Sequence, residues 1–111
     1  MPMPAPARSV PPANSQQMLA SIWQRNLPLV RTRIDSLHAA ARDAADGHLS
    51  SDVRRQAAET AHKLAGSLGM FGYPRGTEIA QQLERLLDSE TPVSGSRFEE
   101  LTAELDQILQ I

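Results

Sequence analysis

The sequence predicts an all-α fold, an antiparallel up-down four-helix bundle with an additional short N-terminal helix. Three observations predict it. Apolar residues recur at helical spacing in five successive segments, where period-two alternation would indicate strands. Ala and Leu are plentiful while aromatic residues make up only 4% of the chain, a balance that favours helix. The breaks between segments are short and rich in Gly, Pro and Ser, which places successive helices side by side and antiparallel.

Residues 1–14 contain Pro2, Pro4, Pro6, Pro11 and Pro12 and read as a disordered Pro-rich tail or linker, because proline interrupts regular hydrogen bonding. The helical domain is expected over residues 15–111. Met18, Leu19, Ile22 and Trp23 give the short first helix, ending near Asn26. Pro28 fits the first turn of the next helix, whose face is Val30, Ile34, Leu37, Ala41, Ala44 and Ala45, with Gly47 as a left-handed terminator. Ser50 or Ser51 can cap a third helix carrying Val53, Ala57, Thr60, Ala61, Leu64 and Leu68, interrupted at Gly69 and Gly72. Pro74 and Thr77 open a fourth, with Ile79, Ala80, Leu83, Leu86 and Leu87 on one face, stopping near Ser89. Thr91 to Gly95 read as a loop. Ser96 and Glu99 form a capping box for a last helix that buries Phe98, Leu101, Leu105, Ile108 and Leu109.

Composition removes several classes of function. The net charge is −2 and the basic residues are interspersed with acidic ones, so neither a nucleic-acid footprint nor a polybasic membrane patch is expected. The apolar runs are far shorter than the roughly 20 residues that cross a bilayer. No cysteine is present, which excludes disulfides and thiolate metal sites and is compatible with a reducing cytoplasm, the expected location. His38 and His48 show no metal-ligand spacing, and no metal site is expected. Paired carboxylates, a Ser/His/Asp set and a phosphate-binding loop are not evident either, so the chain is not read as an enzyme with its own active site.

His62 stands apart. On a helical wheel it lies about 180° from Val53 and away from the apolar stripe of its helix, so its imidazole is expected in solvent. Ala58, Gly66 and Gly69 fall within about 40° of it, which surrounds the ring with residues that have almost no side chain. A mid-helix glycine costs about 1 kcal/mol relative to Ala, so Gly66 calls for a compensating reason, and steric access to His62 supplies one. A neutral imidazole is a nucleophile near neutral pH, and a phosphoryl group on a ring nitrogen is transferable. A single exposed histidine is otherwise an ordinary surface residue. Met70 and Phe71 read either as a cap on the bundle end or as an extension of a docking surface.

The string Ala61-His62-Lys63-Leu64-Ala65-Gly66-Ser67-Leu68-Gly69-Met70-Phe71-Gly72 resembles the active-site helix of histidine-containing phosphotransfer (HPt) domains, and Leu83-Glu84 resembles that family's Leu-Glu pair in the next helix. The resemblance implies His62 as phospho-acceptor, Gly66 as the residue that gives access and Ser67 as a neighbour that helps hold the helix. It also implies partners: a response-regulator receiver domain, a sensor histidine kinase, or both. Such a carrier binds no cofactor itself, and Mg²⁺ is expected on the partner receiver. A monomer is expected. Where many family members carry Lys three residues after the histidine, this sequence has Ala65, with Lys63 about 100° away on the wheel. Arg55, within about 20° of His62, and Arg75 in the following turn are candidate contacts for the phosphoryl group or the partner.

The function expected is a phosphorelay intermediate that carries a phosphoryl group on His62 from a kinase or phospho-aspartate receiver to another receiver. The alternative is a helical adaptor or dimerisation module that docks such partners without accepting phosphate. The Pro-rich start and the apolar end at Ile111 are compatible with a larger multidomain parent.

Overall fold

The computed structural model describes residues 11–89 and 91–111. Four helices follow one another: α1 (Pro11–Ala45), α2 (Ser51–Met70), α3 (Pro74–Asp88) and α4 (Gly95–Leu109). Neighbours pack as α1 with α2, α2 with α3, α3 with α4 and α4 with α1, with no diagonal pair among the described residues. That closed ring is the expected four-helix bundle.

Its core is aliphatic apart from Phe98. Ile34 and Leu37 of α1, Leu64 and Leu68 of α2, Ile79 and Leu83 of α3, and Phe98, Leu101 and Leu105 of α4 are all buried. Ala40, Ala41, Ala57 and Ala61 fill the α1 and α2 faces with minimal volume. The single buried polar side chain among the described residues, Thr102, is satisfied within its own helix by donating to the Phe98 carbonyl at 2.8 Å.

The N-terminal element differs from expectation. The additional short helix is not separate, because α1 runs unbroken through Pro28. Proline at that position removes one backbone hydrogen bond and crowds the preceding turn, a penalty of about 3 kcal/mol in a helix interior. Packing on both sides offsets it. Trp23 packs at a tilt on Phe71 and Tyr73, each with ring centroids 5.2 Å away, and Val30 is buried two residues after the proline. The Asn26 side chain also folds back to donate to the Ile22 carbonyl at 3.0 Å. The tail boundary moves too: Pro11 to Asn14 belong to the first turn of α1, where proline is tolerated, and residues 1–10 lie outside the described residues.

The helix ends are set locally. Gly47 at φ +76° accommodates the left-handed turn after α1, where the Gly47 N–H reaches the Ala44 carbonyl and the His48 N–H the Asp43 carbonyl. Of the two candidates, Ser50 caps α2, accepting from the Val53 N–H at 3.1 Å. The expected capping box at Ser96 and Glu99 is not formed. Ser94 caps α4 instead, accepting from the Arg97 N–H at 3.3 Å. Gly95 accounts for the shift, since a Cβ there would lie 2.6 Å from Ala45 Cα. The first turn of α4 therefore packs directly on the last turn of α1, and only glycine permits that approach.

A distant clamp fixes the opposite end of α3. Arg54 donates from Nε to the Leu87 carbonyl at 2.7 Å and from Nη2 to the carbonyls of Ser89 and Thr91. One guanidinium thus satisfies carbonyls that a helix C-terminus leaves without partners and places positive charge at its negative dipole end.

Candidate functional site

The site is built on the central turns of α2, with α3 beside it. α2 is held by buried Ala61, Leu64 and Leu68, which leaves His62 on the outer side with 74% of its side chain exposed. The imidazole is oriented from across the helix pair: its Nδ1 lies 2.9 Å from Glu84 Oε2, on α3. Glu84 is itself only 28% exposed. A neutral ring that donates Nδ1–H to this carboxylate keeps its lone pair on Nε2, which has no protein partner among the described residues.

Next to the ring, Arg55, Ala58, Glu59 and Lys63 of α2 and Glu84 and Asp88 of α3 line an open shelf with His62. Arg55 is bonded to Asp52 at 3.0 Å. Lys63 lies on the rim and also lines the neighbouring groove between α2 and α1 with Ser36 and Ala40. Ala58 is buried, at 8% exposure, so it forms the floor of the shelf and not a solvent-facing part of the platform. The rotation that brings α3 alongside α2 covers it.

The glycines divide. At Gly66 a Cβ would meet nothing within 4 Å, so internal packing gives no reason for its lack of a side chain. At Gly69 a Cβ would lie 3.1 Å from Thr77 Oγ1, so this glycine faces the start of α3 and makes room for packing. Thr77 in turn donates to the Ala65 carbonyl at 3.1 Å, tying the two helices together behind the site. Ser67 bonds weakly to the Leu64 carbonyl of its own helix, at 3.4 Å.

Arg75 is not brought to His62. It pairs with Glu104 at 3.2 Å and with Glu78 at 3.7 Å, on the α3–α4 side. Ala65 is buried at 9% exposure, so no charge reaches the site from that position. Phe71 packs on Trp23 at the bundle end, whereas Met70 is 65% exposed. Glu59 and Asp88 were not singled out by sequence. The spacing of Glu59, three before His62, and of Asp88, four after Glu84, is the signal that could have found them. Among the described residues no group of three or more His, Cys, Asp or Glu is arranged to hold a metal ion. No helix among the described residues is long and apolar enough to cross a membrane.

The fold and site together are a four-helix bundle presenting an exposed, carboxylate-oriented histidine, and comparison with known proteins supplies the class of module. The chain matches the Hpt domain family over residues 21–111 and belongs to it. It is 37% identical over 82 residues to protein RcaC of Microchaete diplosiphon, covering 71% of this chain and 13% of that protein's length. No solved structure matches. Family membership places the chain among the phosphotransfer modules of two-component and phosphorelay signalling.

Proposed function

We propose that this chain is a phosphorelay intermediate whose phospho-acceptor is Nε2 of His62. The observation that carries the reading is the combination of an exposed ring held at Nδ1 by Glu84 with an empty Cβ position at Gly66 one turn along. The Nε2 lone pair attacks the phosphorus of a phospho-aspartate on a receiver, or of the donor in a kinase active site. The bond from phosphorus to the donor oxygen breaks, and that oxygen leaves with the electron pair. The return step to a second receiver reverses this order, and Nδ1–H stays on Glu84 throughout. The chain therefore needs no base of its own. Orientation is its contribution, and the charge on the transferring group is met by Mg²⁺ bound on the partner receiver.

On this reading the chain acts in the cytoplasm as a monomer, and Gly66 leaves the space through which a receiver's acidic pocket reaches the ring. Arg55 and Lys63 are the cations near enough to meet the phosphoryl group. Incubation with a phosphorylated receiver and Mg²⁺ tests the reading: wild type takes up acid-labile label and His62→Gln takes up none. Equal labelling of the two would refute it.

A second reading has one observation in its favour. Position 65, where many relatives carry a phosphoryl-contacting lysine, is a buried alanine, which suits an adaptor that docks a receiver without accepting phosphate. Tight receiver binding under Mg²⁺ with no transfer at all would select it.

A further inference from the structure

The shelf beside His62 is unbalanced in charge. Three carboxylates line it, Glu59 from α2 and Glu84 and Asp88 from α3, against two cations, Arg55 and Lys63. Arg55 is already engaged by Asp52, outside the shelf, at 3.0 Å. Glu84 is committed to the ring nitrogen. Glu59 and Asp88 are exposed, and neither has an ion-pair partner among the described residues. No structural bond in the bundle accounts for their position.

We propose that Glu59 and Asp88 raise the free energy of the phosphoryl group on His62, so that this chain is biased toward giving its phosphoryl group away. The inference rests on His62 being the phospho-acceptor and adds a direction to that reading. A phosphoryl group on Nε2 places up to two negative charges at the edge of a shelf that already holds a net negative charge, partly offset by the positive charge that the Nδ1-protonated ring takes up on phosphorylation. At surface separations of several ångströms, the two carboxylates together oppose the loaded state by an amount equivalent to roughly a three- to tenfold change in equilibrium. The unphosphorylated state carries no phosphoryl charge and pays no such penalty. Destabilisation therefore falls on the loaded state alone, and discharge relieves it: the Nε2–P bond breaks, its electron pair returns to Nε2, and a receiver carboxylate oxygen bonds to phosphorus. The same carboxylates disfavour the dianion over the monoanion, so the phosphoryl group keeps its last proton to a higher pH than it would on a neutral surface.

The test uses the full chain and phosphoramidate as donor, which needs no docking partner. In that reaction the donor's N–P bond breaks, ammonia leaves with the proton, and the Nε2–P bond forms. At fixed phosphoramidate and ammonia concentrations, Glu59→Gln/Asp88→Asn should raise the labelled fraction relative to unlabelled chain by about three- to tenfold. The phosphoryl pKa, followed by ³¹P chemical shift, should fall in the same variant. Glu99→Gln/Glu100→Gln on α4, also a loss of two surface carboxylates, should move neither quantity, and thermal melts confirm that each variant folds. Label that appears on His62 with both quantities unmoved by Glu59→Gln/Asp88→Asn would overturn the proposal while leaving the phospho-acceptor in place. Absence of label on every variant, with phosphorylated receiver as well as with phosphoramidate, would remove both.

Discussion

Two histidines of this bundle face a carboxylate across a helix pair, and they are set up for different purposes. His38 of α1 meets Asp106 of α4 through Nε2 at 2.7 Å, and both side chains are about two-thirds covered, at 31% and 32% exposure. His62 of α2 meets Glu84 of α3 through Nδ1 at 2.9 Å, but its own side chain is 74% exposed. The first pair joins two helices. The second holds a ring by one nitrogen and leaves the other in water. A carboxylate partner therefore does not mark a functional histidine by itself. What separates the two is which nitrogen stays free and how far the ring is exposed, and one turn beyond His62 a Cβ at Gly66 would meet nothing within 4 Å.

Substitution at the two rings should break the comparison most sharply. His62→Gln should abolish acid-labile phosphoryl uptake, a loss of at least about a hundredfold, because no other imidazole lines the shelf. His38→Gln should keep uptake within about twofold of wild type, measured by acid-labile label. Uptake lost in His38→Gln with the fold intact would assign the chemistry to the wrong ring.

The approach to the ring comes next. Gly66→Leu should slow exchange with a phosphorylated receiver by at least about tenfold, since a branched side chain would fill the space a partner needs. Labelling by phosphoramidate should change little. Gly66→Ala sharpens the point thermodynamically: with nothing within 4 Å of the added methyl, the bundle should gain about 0.5–1 kcal/mol in denaturant unfolding, so the native glycine would be held at the expense of stability.

Exchanging the carboxylates separates orientation from support. Glu84→Gln should lower the rate of phosphoryl uptake by roughly three- to tenfold, because an amide holds the Nδ1–H tautomer less strongly than a carboxylate. Asp106→Asn should leave that rate unchanged. The smallest effect expected is on stability, where His38→Ala loses about 1 kcal/mol by removing a partly covered interhelical hydrogen bond, and His62→Ala stays within about 0.5 kcal/mol of wild type. Urea unfolding midpoints at matched slope measure both.

Much of this was legible in the order of residues. The period-3.6 placement of Leu64 and Leu68 against His62 put the ring on the outer face of α2, and Ala58, Gly66 and Arg55 were named as its neighbours from the wheel alone. The errors came where a local signal met a tertiary one. Pro28 looked like a helix start, but Trp23 packing on Phe71 and Tyr73 carries α1 through it. Ser96 looked like a cap, but the fit of Gly95 against Ala45 starts α4 earlier, at Gly95 with Ser94 as its cap. Gly69 and Ala58 share the wheel sector of His62, yet α3 covers that side, so one is a packing glycine and the other a floor. A wheel describes one helix and has no knowledge of which neighbour lies over it.

The sequence by itself determined the helices, their apolar faces and the exposure of His62, because each depends on residues three or four apart whose geometry the backbone repeat dictates. Only the tertiary structure decided what surrounds that ring: Glu84, 22 residues away, at its Nδ1, Asp88 on the shelf, and Arg54 tied to carbonyls 33 to 37 residues on. Those partners meet because two helices dock at a particular rotation and height. The fit of whole buried faces chooses that docking, and no short stretch of chain contains it.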